Sequence, residues 1–416
     1  MVDSKTTRGA RTVLIVLALL VVAVGDVLLT YEFLTAPYPG ANDFASRWAG
    51  ARAFWRDGVS PYSDEATRQI QMLIYGRTIP LEEEREYDPG PFAYPFFTVF
   101  LLFPLVWMPY AWAEAIWLVM LQVCLVAGLL VVVRLSRWRP PAWLLGCTVL
   151  WSLLFYPEAR ALILGQFSLF VFAATVVMLW ALARGKDVVA GILLALSTVK
   201  PQMIFLLLPL LLGWAARERR PRFAGVFLGS MVLLVGASWL VEPGWVGDFY
   251  DQVARYSSYT AIGSPIWIVA HDVVPALGSC GEWLLTGLLL ACFALAAWRW
   301  FRKERGDLSL WIVGLSLIVT NLVALRTATS NYVVLLLPLV MVFRALQRRR
   351  AGPWLVLLLE LVLLVGMWAH FLVTVDSKFE HPAVYLPLPF GLLAIFGLAR
   401  RWLAVGRGTG EVAESA

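Results

Sequence analysis

The chain of 416 residues is 60% hydrophobic and 15% charged, and it contains 20 Trp and 23 Phe. An ordinary soluble domain is about half apolar and about a quarter charged. The composition therefore excludes a soluble enzyme, a disordered chain and a nucleic-acid-binding protein, and it predicts an integral membrane protein. The formal net charge of +6 does not indicate a nucleic-acid partner, because the basic residues gather in short loops between apolar segments. The 4 Cys show neither metal-binding nor redox spacing.

About twelve apolar segments are candidates to cross a bilayer, since a spanning helix takes about 20 residues and a helix inside a bundle can be shorter. They predict an all-α polytopic membrane protein, a bundle of about twelve transmembrane helices. Pro201 joins two short segments and favours a broken or tilted hairpin there. The segments cover residues 13–35, 111–134, 142–157, 164–184, 187–200, 202–215, 223–241, 282–300, 308–325, 330–346, 353–374 and 384–404.

Clusters of Lys and Arg occur at every second loop of this set, and positive residues favour the cytoplasmic side. The alternation predicts that both termini are cytoplasmic. Counting the Pro-rich segment 94–109 as a further crossing would invert every later cluster, so we predict a re-entrant or interfacial element on the outer side. The longest outer loop, 36–93, contains two amphipathic patterns, near 44–57 and 64–76. A second outer loop covers 242–281.

Two polar residues beside apolar spans are candidates for chemistry, because polar groups there are costly and mark functional sites. Asp43 follows the first span, where a carboxylate can act as a general base. The alternative is an N-cap for the helix that begins near Phe44. Lys200 lies beside the break at Pro201, with Gln202 as a further donor. Its ammonium group could bind a phosphate or could snorkel to the surface.

Three further places carry polar side chains at the outer side. Arg160 and Gln166 flank one end of a span, and a guanidinium suits a pair of phosphate oxygens, although a surface pair of Arg160 with Glu158 is the alternative. Arg326 is the only basic residue at its turn. His271 lies in the second outer loop next to an aspartate, where it is either catalytic or a loop histidine without a role.

The sequence contains no motif for a nucleotide or for a metal ion. It has no P-loop, no Gly-rich dinucleotide turn, no H-E-x-x-H and no D-x-D. The adjacent acids at 64–65 and 82–84 are interpreted as solvated loop charges. We therefore expect no metal and no cofactor.

Several short motifs follow one another over the first 215 residues. The first three give the pattern D-F-x(3)-W-x-G…G-x-x-P-Y. In chain order the motifs are Asn42-Asp43-Phe44, Trp48-Ala-Gly50, Gly58-Val-Ser-Pro61-Tyr62, Tyr94-Pro95, Gly165-Gln166-Phe-Ser168 and Lys200-Pro201-Gln202. Taken together they resemble glycosyltransferase family 87 of the GT-C superfamily, the polyprenol-phosphate-mannose-dependent mannosyltransferases.

The resemblance implies a sugar donor on a lipid phosphate and transfer outside the cytoplasmic membrane, with inversion and without a metal. It implies that Asp43 is the general base. The leaving phosphate then needs charge stabilisation, which Lys200 with Arg160 or Arg326 would supply. The substrate-binding residues taken from the motifs are Asn42, Trp48, Tyr62, Tyr94, Gln166 and Gln202.

The C-terminal half departs from the family pattern. Many relatives have a Ser-x-x-His-His-like element before a late span, where this chain has residues 327–332 (TATSNY). The donor sugar could therefore be a pentose or hexose other than mannose, and His271 could replace a family histidine near the donor phosphate. The fold implied is a single GT-C-like membrane domain over 1–407 with an extracytoplasmic loop cap, followed by a disordered cytoplasmic tail over 408–416.

The partners expected are a polyprenyl-phosphate-sugar donor, an acceptor that is a glycolipid, a glycan or a protein, and membrane lipids. No nucleic acid is expected. A lipid-linked sugar transporter or flippase is the alternative, although that class favours repeated halves and polar helices at the midplane. A non-catalytic scaffold would leave the joint occurrence of Asp43, Gln166 and Lys200 unexplained.

Overall fold

The computed structural model describes residues 4–40, 42–83, 87, 90–259, 263–303, 306, 308–325, 327–375 and 380–403. Within these ranges the chain forms helices and turns, with no β-strand. The all-α class is therefore confirmed. The predicted tail at 408–416 lies outside the described residues.

The α-helices are numbered in chain order. They are α1 Ser4–Thr30, α2 Phe44–Asp57, α3 Asp64–Tyr75, α4 Thr98–Leu102, α5 Tyr110–Leu135, α6 Ala142–Leu154, α7 Tyr156–Ile163, α8 Ser168–Ala183, α9 Asp187–Ser197, α10 Leu207–Arg217, α11 Pro221–Val241, α12 Trp245–Tyr259, α13 Pro265–Ile268, α14 Gly278–Lys303, α15 Leu310–Val323, α16 Leu336–Gln347, α17 Gly352–Thr374, α18 Pro387–Leu398 and α19 Arg400–Leu403. Short 3₁₀ helices cover Leu81–Glu83, Pro201–Met203, Pro275–Leu277, Thr329–Leu335 and Pro382–Tyr385, and π-helical turns cover Tyr31–Thr35 and Val269–Val273.

Each apolar segment predicted from the sequence contains a helix, which confirms a polytopic membrane protein. In the part of the chain that the structure describes, 6 helical segments are long and apolar enough to span a bilayer. The pair α6 and α7 would add a bent span, with 53° between its halves. Phe155 takes an extended conformation between them (ψ 134°), and Pro157 lacks the N–H that a continuous helix would need. The remaining apolar helices are shorter, so the number twelve stays a prediction.

The spans differ in what surrounds them. In Thr329–Gln347, 89% of the most apolar window is buried by protein, whereas the figure is 11% in Pro221–Val241 and 0% in Val16–Thr35. An unburied helix with large apolar side chains is stable only against lipid. Helices α1 and α11 therefore face the bilayer, while α16 forms part of the protein core.

The described chain divides into two compact units. The first contains Met1–Val123, Ile163–Gly165 and Glu242–Tyr259, and the second contains Cys124–Leu162, Gln166–Val241 and Thr260–Ala416. The single membrane domain over 1–407 stays a prediction, and each unit is described by itself.

In the first unit, helix α2 packs against α3 and α4, and helices α2 and α3 occupy the two stretches where the sequence shows an amphipathic pattern. Gly58, with a φ of +66°, ends α2 in the left-handed conformation that glycine favours. The Ser63 hydroxyl caps α3 by accepting a hydrogen bond from the Ala66 N–H at 3.2 Å. The segment 94–109 contains only the five-residue helix α4, which is far too short to cross a bilayer.

In the second unit, α9 packs closely against α8 and α11. A Cβ atom on Gly191 would lie 2.9 Å from the Phe223 carbonyl oxygen of α11, so only glycine permits this approach. Helix α9 ends at Ser197, and a 3₁₀ turn begins at Pro201. The predicted break at Pro201 is confirmed.

Candidate active site

Asp43 occupies the N-cap position of α2, but its carboxylate makes no capping hydrogen bond. The neighbouring Asn42 does so instead, because its Oδ1 accepts from the Phe44 N–H at 3.0 Å in an Asx turn. Asn42 is buried, whereas 39% of the Asp43 side chain is exposed. The structure therefore does not support the capping alternative, and the Asp43 side chain is partly exposed.

Arg47 lies one helical turn after Asp43 and contacts it twice. The guanidinium Nη1 lies 3.8 Å from Asp43 Oδ2 and also donates to the Asp43 carbonyl oxygen. Arg47 is itself positioned by Tyr94, whose ring centroid lies 4.9 Å from the guanidinium carbon. A carboxylate held by an i,i+4 arginine has a restricted orientation.

Gly165 packs closely against Asn42 and Phe44. Its φ is +60°, and a Cβ atom there would lie 3.0 Å from Phe44 Cβ and 3.4 Å from the Asn42 amide atoms. Trp117 fixes this glycine by donating from Nε1 to its carbonyl oxygen at 2.9 Å, and the Trp117 ring stacks on Phe44. The glycine of the Gly165-Gln166 motif is thus required by a close approach to the turn that carries Asp43.

The other motif residues of the first unit have their polar atoms bound by protein. Trp48 Nε1 donates to the Leu105 carbonyl oxygen at 2.9 Å. Tyr62 donates its hydroxyl to the Tyr94 carbonyl oxygen at 2.6 Å. Burial, reinforced by the nearby charges of Asp248 and Glu242, raises the pKa of the Tyr62 phenol. Tyr62 therefore stays neutral and holds the chain near Tyr94, and its assignment to substrate binding stays a prediction.

Lys200 and Gln166 meet in the second unit. Lys200 Nζ donates to Gln166 Oε1 at 2.9 Å, and both side chains are only 6% exposed. An ammonium group is a point charge that can bind a phosphate oxygen, and the Gln166 amide fixes the position of this one. Gln202, in the following 3₁₀ turn, is partly exposed.

Arg160 pairs with Glu380 and not with Glu158. Arg160 Nε lies 2.9 Å from Glu380 Oε1. Three hydroxyl groups also donate to the same buried carboxylate, those of Tyr156, Thr329 at 2.5 Å and Tyr385 at 2.6 Å. The alternative of a surface pair with Glu158 is therefore wrong, since Glu158 is fully buried and its oxygens have no hydrogen-bond partner among the described residues.

His271 contacts two neighbouring side chains, those of Glu282 and Trp267. Its Nε2 lies 3.0 Å from Glu282 Oε2, and its ring stacks on Trp267 with centroids 4.9 Å apart. A carboxylate at this distance competes with a phosphate for the same nitrogen. The predicted role of His271 at the donor phosphate stays a prediction, and Arg326 lies outside the described residues.

The sequence profile of glycosyltransferase family 87 matches residues 92–326, more than half of the chain. The chain belongs to glycosyltransferase family 87. No curated protein and no solved structure matches this glycosyltransferase. The matched region of the glycosyltransferase includes Lys200, Gln166 and Arg160, whereas Asp43 lies before it.

Two residues that position the candidate site, Arg47 and Glu380, were not identified from the sequence. Arg47 carries a usable signal, because a basic residue four positions after an acid on a helix forms a pair. Glu380 carries none, since the hydroxyl of Tyr156 reaches it across 224 residues of chain. Within the described ranges, no three His, Cys, Asp or Glu side chains come close enough to hold a metal ion.

Proposed function

We propose that this membrane glycosyltransferase transfers a sugar, mannose as the first candidate, from a polyprenyl-phosphate carrier to an acceptor hydroxyl. The proposal places the reaction at the extracytoplasmic face of the plasma membrane, with Asp43 as the general base and inversion of the anomeric centre. Membership of the family supports glycosyl transfer over transport. The single observation that carries the role of Asp43 is its exposed carboxylate, which leaves capping to Asn42.

The proposed step needs one base. As the acceptor oxygen attacks the anomeric carbon, its proton passes to a carboxylate oxygen of Asp43. The bond between that carbon and the phosphate oxygen breaks, and its electron pair leaves with the lipid phosphate. Attack from the face opposite the leaving group gives inversion. The atoms and charges of the step balance without a cofactor.

The lipid phosphate gains negative charge as it leaves, so cations accelerate the step. We assign this role to Lys200, positioned by Gln166, and to Arg160, positioned by Glu380. Arg160 uses Nε for Glu380, and its terminal nitrogens are the natural donors to a phosphate. Arg326 and His271 remain further candidates for the same phosphate. The acceptor is a glycolipid, a glycan or a protein.

The test uses purified protein in nanodiscs with a panel of polyprenyl-phosphate sugars and membrane glycolipids. Mass spectrometry detects transfer, and NMR of the product gives the anomeric configuration. We expect turnover of one donor, an inverted product, and a loss of about 10²–10⁴-fold in Asp43→Asn.

Asp57→Asn is the matched control, since Asp57 ends the same helix on an exposed turn. Its rate should equal that of the unmodified protein. Turnover of Asp43→Asn at the control rate would remove Asp43 as the base, and retention of configuration would remove the single-displacement mechanism.

A further inference from the structure

A cavity of about 300 Å³ lies beside helix α2 in the first unit. Its walls include Trp48 and Arg52 of α2, Gln69 and Leu73 of α3, and Tyr110 at the start of α5. Among the described residues that line it, Arg52 is the one charged side chain, and it gives this part of the wall a positive charge. The volume is sufficient for a small polar group, such as a phosphate with its glycerol.

The Arg52 guanidinium makes two contacts at the wall of this cavity. Its guanidinium carbon lies 5.1 Å from the centroid of the Trp48 ring, and its Nη1 donates to the Val106 carbonyl oxygen at 3.2 Å. A guanidinium has five N–H donors, so this carbonyl occupies only one of them. Burial and the neighbouring Arg56 lower the pKa of Arg52, whereas Asp57 raises it. An anion bound here would relieve the repulsion between the two arginines.

The turn that receives this hydrogen bond exposes large apolar side chains. Phe103 is 43% exposed, Trp107 54% and Met108 37%. Arg56 lies over the Trp107 ring at 5.9 Å. Tryptophan and arginine side by side on an exposed apolar surface are typical of the headgroup layer of a bilayer. The cationic cavity thus adjoins a surface suited to acyl chains.

We propose that this cavity binds the phosphate of an anionic phospholipid headgroup, with Arg52 as the phosphate ligand and the turn 103–108 against the acyl chains. Gln69 supplies a further polar contact for the glycerol. A lipid bound at this site would tie the α2–α4 layer to the membrane surface.

The experiment measures lipid binding by native mass spectrometry and by thermal stabilisation of the purified full chain. Phosphatidylglycerol, phosphatidylcholine and soluble glycerol phosphate are the three probes. We expect phosphatidylglycerol to bind most tightly, and Arg52→Gln to weaken its binding about tenfold or more, as expected for a charged hydrogen bond. Arg52→Lys keeps the charge but loses the forked guanidinium, so its affinity for phosphatidylglycerol should lie between those of the unmodified protein and Arg52→Gln.

Arg68→Gln is the control, because Arg68 is an exposed arginine of the neighbouring helix α3, paired with Glu65. It should bind phosphatidylglycerol as the unmodified protein does. Equal binding by Arg52→Gln would overturn the site, as would equal losses in both variants. Glycerol phosphate binding as tightly as the lipid would overturn the lipid as occupant. If Arg52→Gln fails to fold, Gln69→Leu and Arg52→Lys provide the same comparison.

Discussion

Replacing Glu380 tests the buried cluster that positions Arg160. The carboxylate is 5% exposed and accepts from the Tyr156, Thr329 and Tyr385 hydroxyls, while Arg160 forms an ion pair with it. Four donors thus converge on one anion. Glu380→Ala removes the acceptor for all of them, whereas Glu380→Gln keeps its shape and removes its charge.

The two variants should differ in size of effect. Breaking a buried ion pair by removing one partner costs about 3–5 kcal/mol, and we expect Glu380→Ala in this range. In Glu380→Gln the three hydroxyl groups lose a charged acceptor and Arg160 loses its counter-charge, a loss of about 1 kcal/mol per bond. The smaller desolvation cost of an amide offsets part of this loss. We therefore expect about 1–3 kcal/mol for Glu380→Gln.

Unfolding in mixed micelles with increasing SDS measures these free energies. The double variant Glu380→Ala/Arg160→Ala closes a double-mutant cycle and should give a coupling of at least about 1.5 kcal/mol. Glu65→Ala is the control, because its pair with Arg68 is exposed and should not affect unfolding measurably. A coupling near zero, or a larger loss in Glu380→Gln than in Glu380→Ala, would refute the reasoning.

Two further predictions concern the turn beside Asn42 and the lipid phosphate. Gly165→Ala should cost about 1–3 kcal/mol and reduce transfer, because its left-handed φ and its contact with Phe44 both oppose a side chain. Gly185→Ala is the control, because Gly185 also has a positive φ but open space around it, so this variant measures the backbone strain alone. An equal loss of stability in the two variants would exclude a role for the contact with Phe44. Lys200→Ala should lower kcat/KM for the lipid-phosphate donor about tenfold or more and leave the KM of the acceptor unchanged. Initial rates measured at varied donor concentration give this kcat/KM. Lys186→Ala is the control, because Lys186 is exposed. An unchanged kcat/KM for the donor in Lys200→Ala would exclude Lys200 from the phosphate site.

The helices could be predicted from the sequence because burial in lipid or protein demands long apolar runs. Pro201 marked the break after α9 correctly, since a proline cannot continue the hydrogen-bond ladder. The amphipathic patterns near 44–57 and 64–76 correspond to helices α2 and α3. These features depend on neighbours within a few residues.

The site was less predictable because its contacts depend on side-chain directions and on distant partners. Asn42 and Asp43 are adjacent in the chain, and the sequence cannot say which of the two caps α2, since helix ends are uncertain by one or two positions. Arg160 has an acid two positions before it, but its partner is Glu380, far along the chain. Residues two apart on a helix do not face each other, so Glu158 was the wrong partner.

Helix α15 is a short membrane-protein helix that touches little lipid. Its 14 residues rise about 21 Å, less than the roughly 30 Å of a hydrocarbon core. Every residue from Trp311 to Val323 is buried, so protein and not acyl chains surrounds it. The hydrophobic mismatch that would thin the bilayer or tilt an exposed helix therefore does not act on α15. Changes in bilayer thickness will instead act on the exposed helices α1, α11 and α17, and the buried core around α15 is insulated from the composition of the membrane.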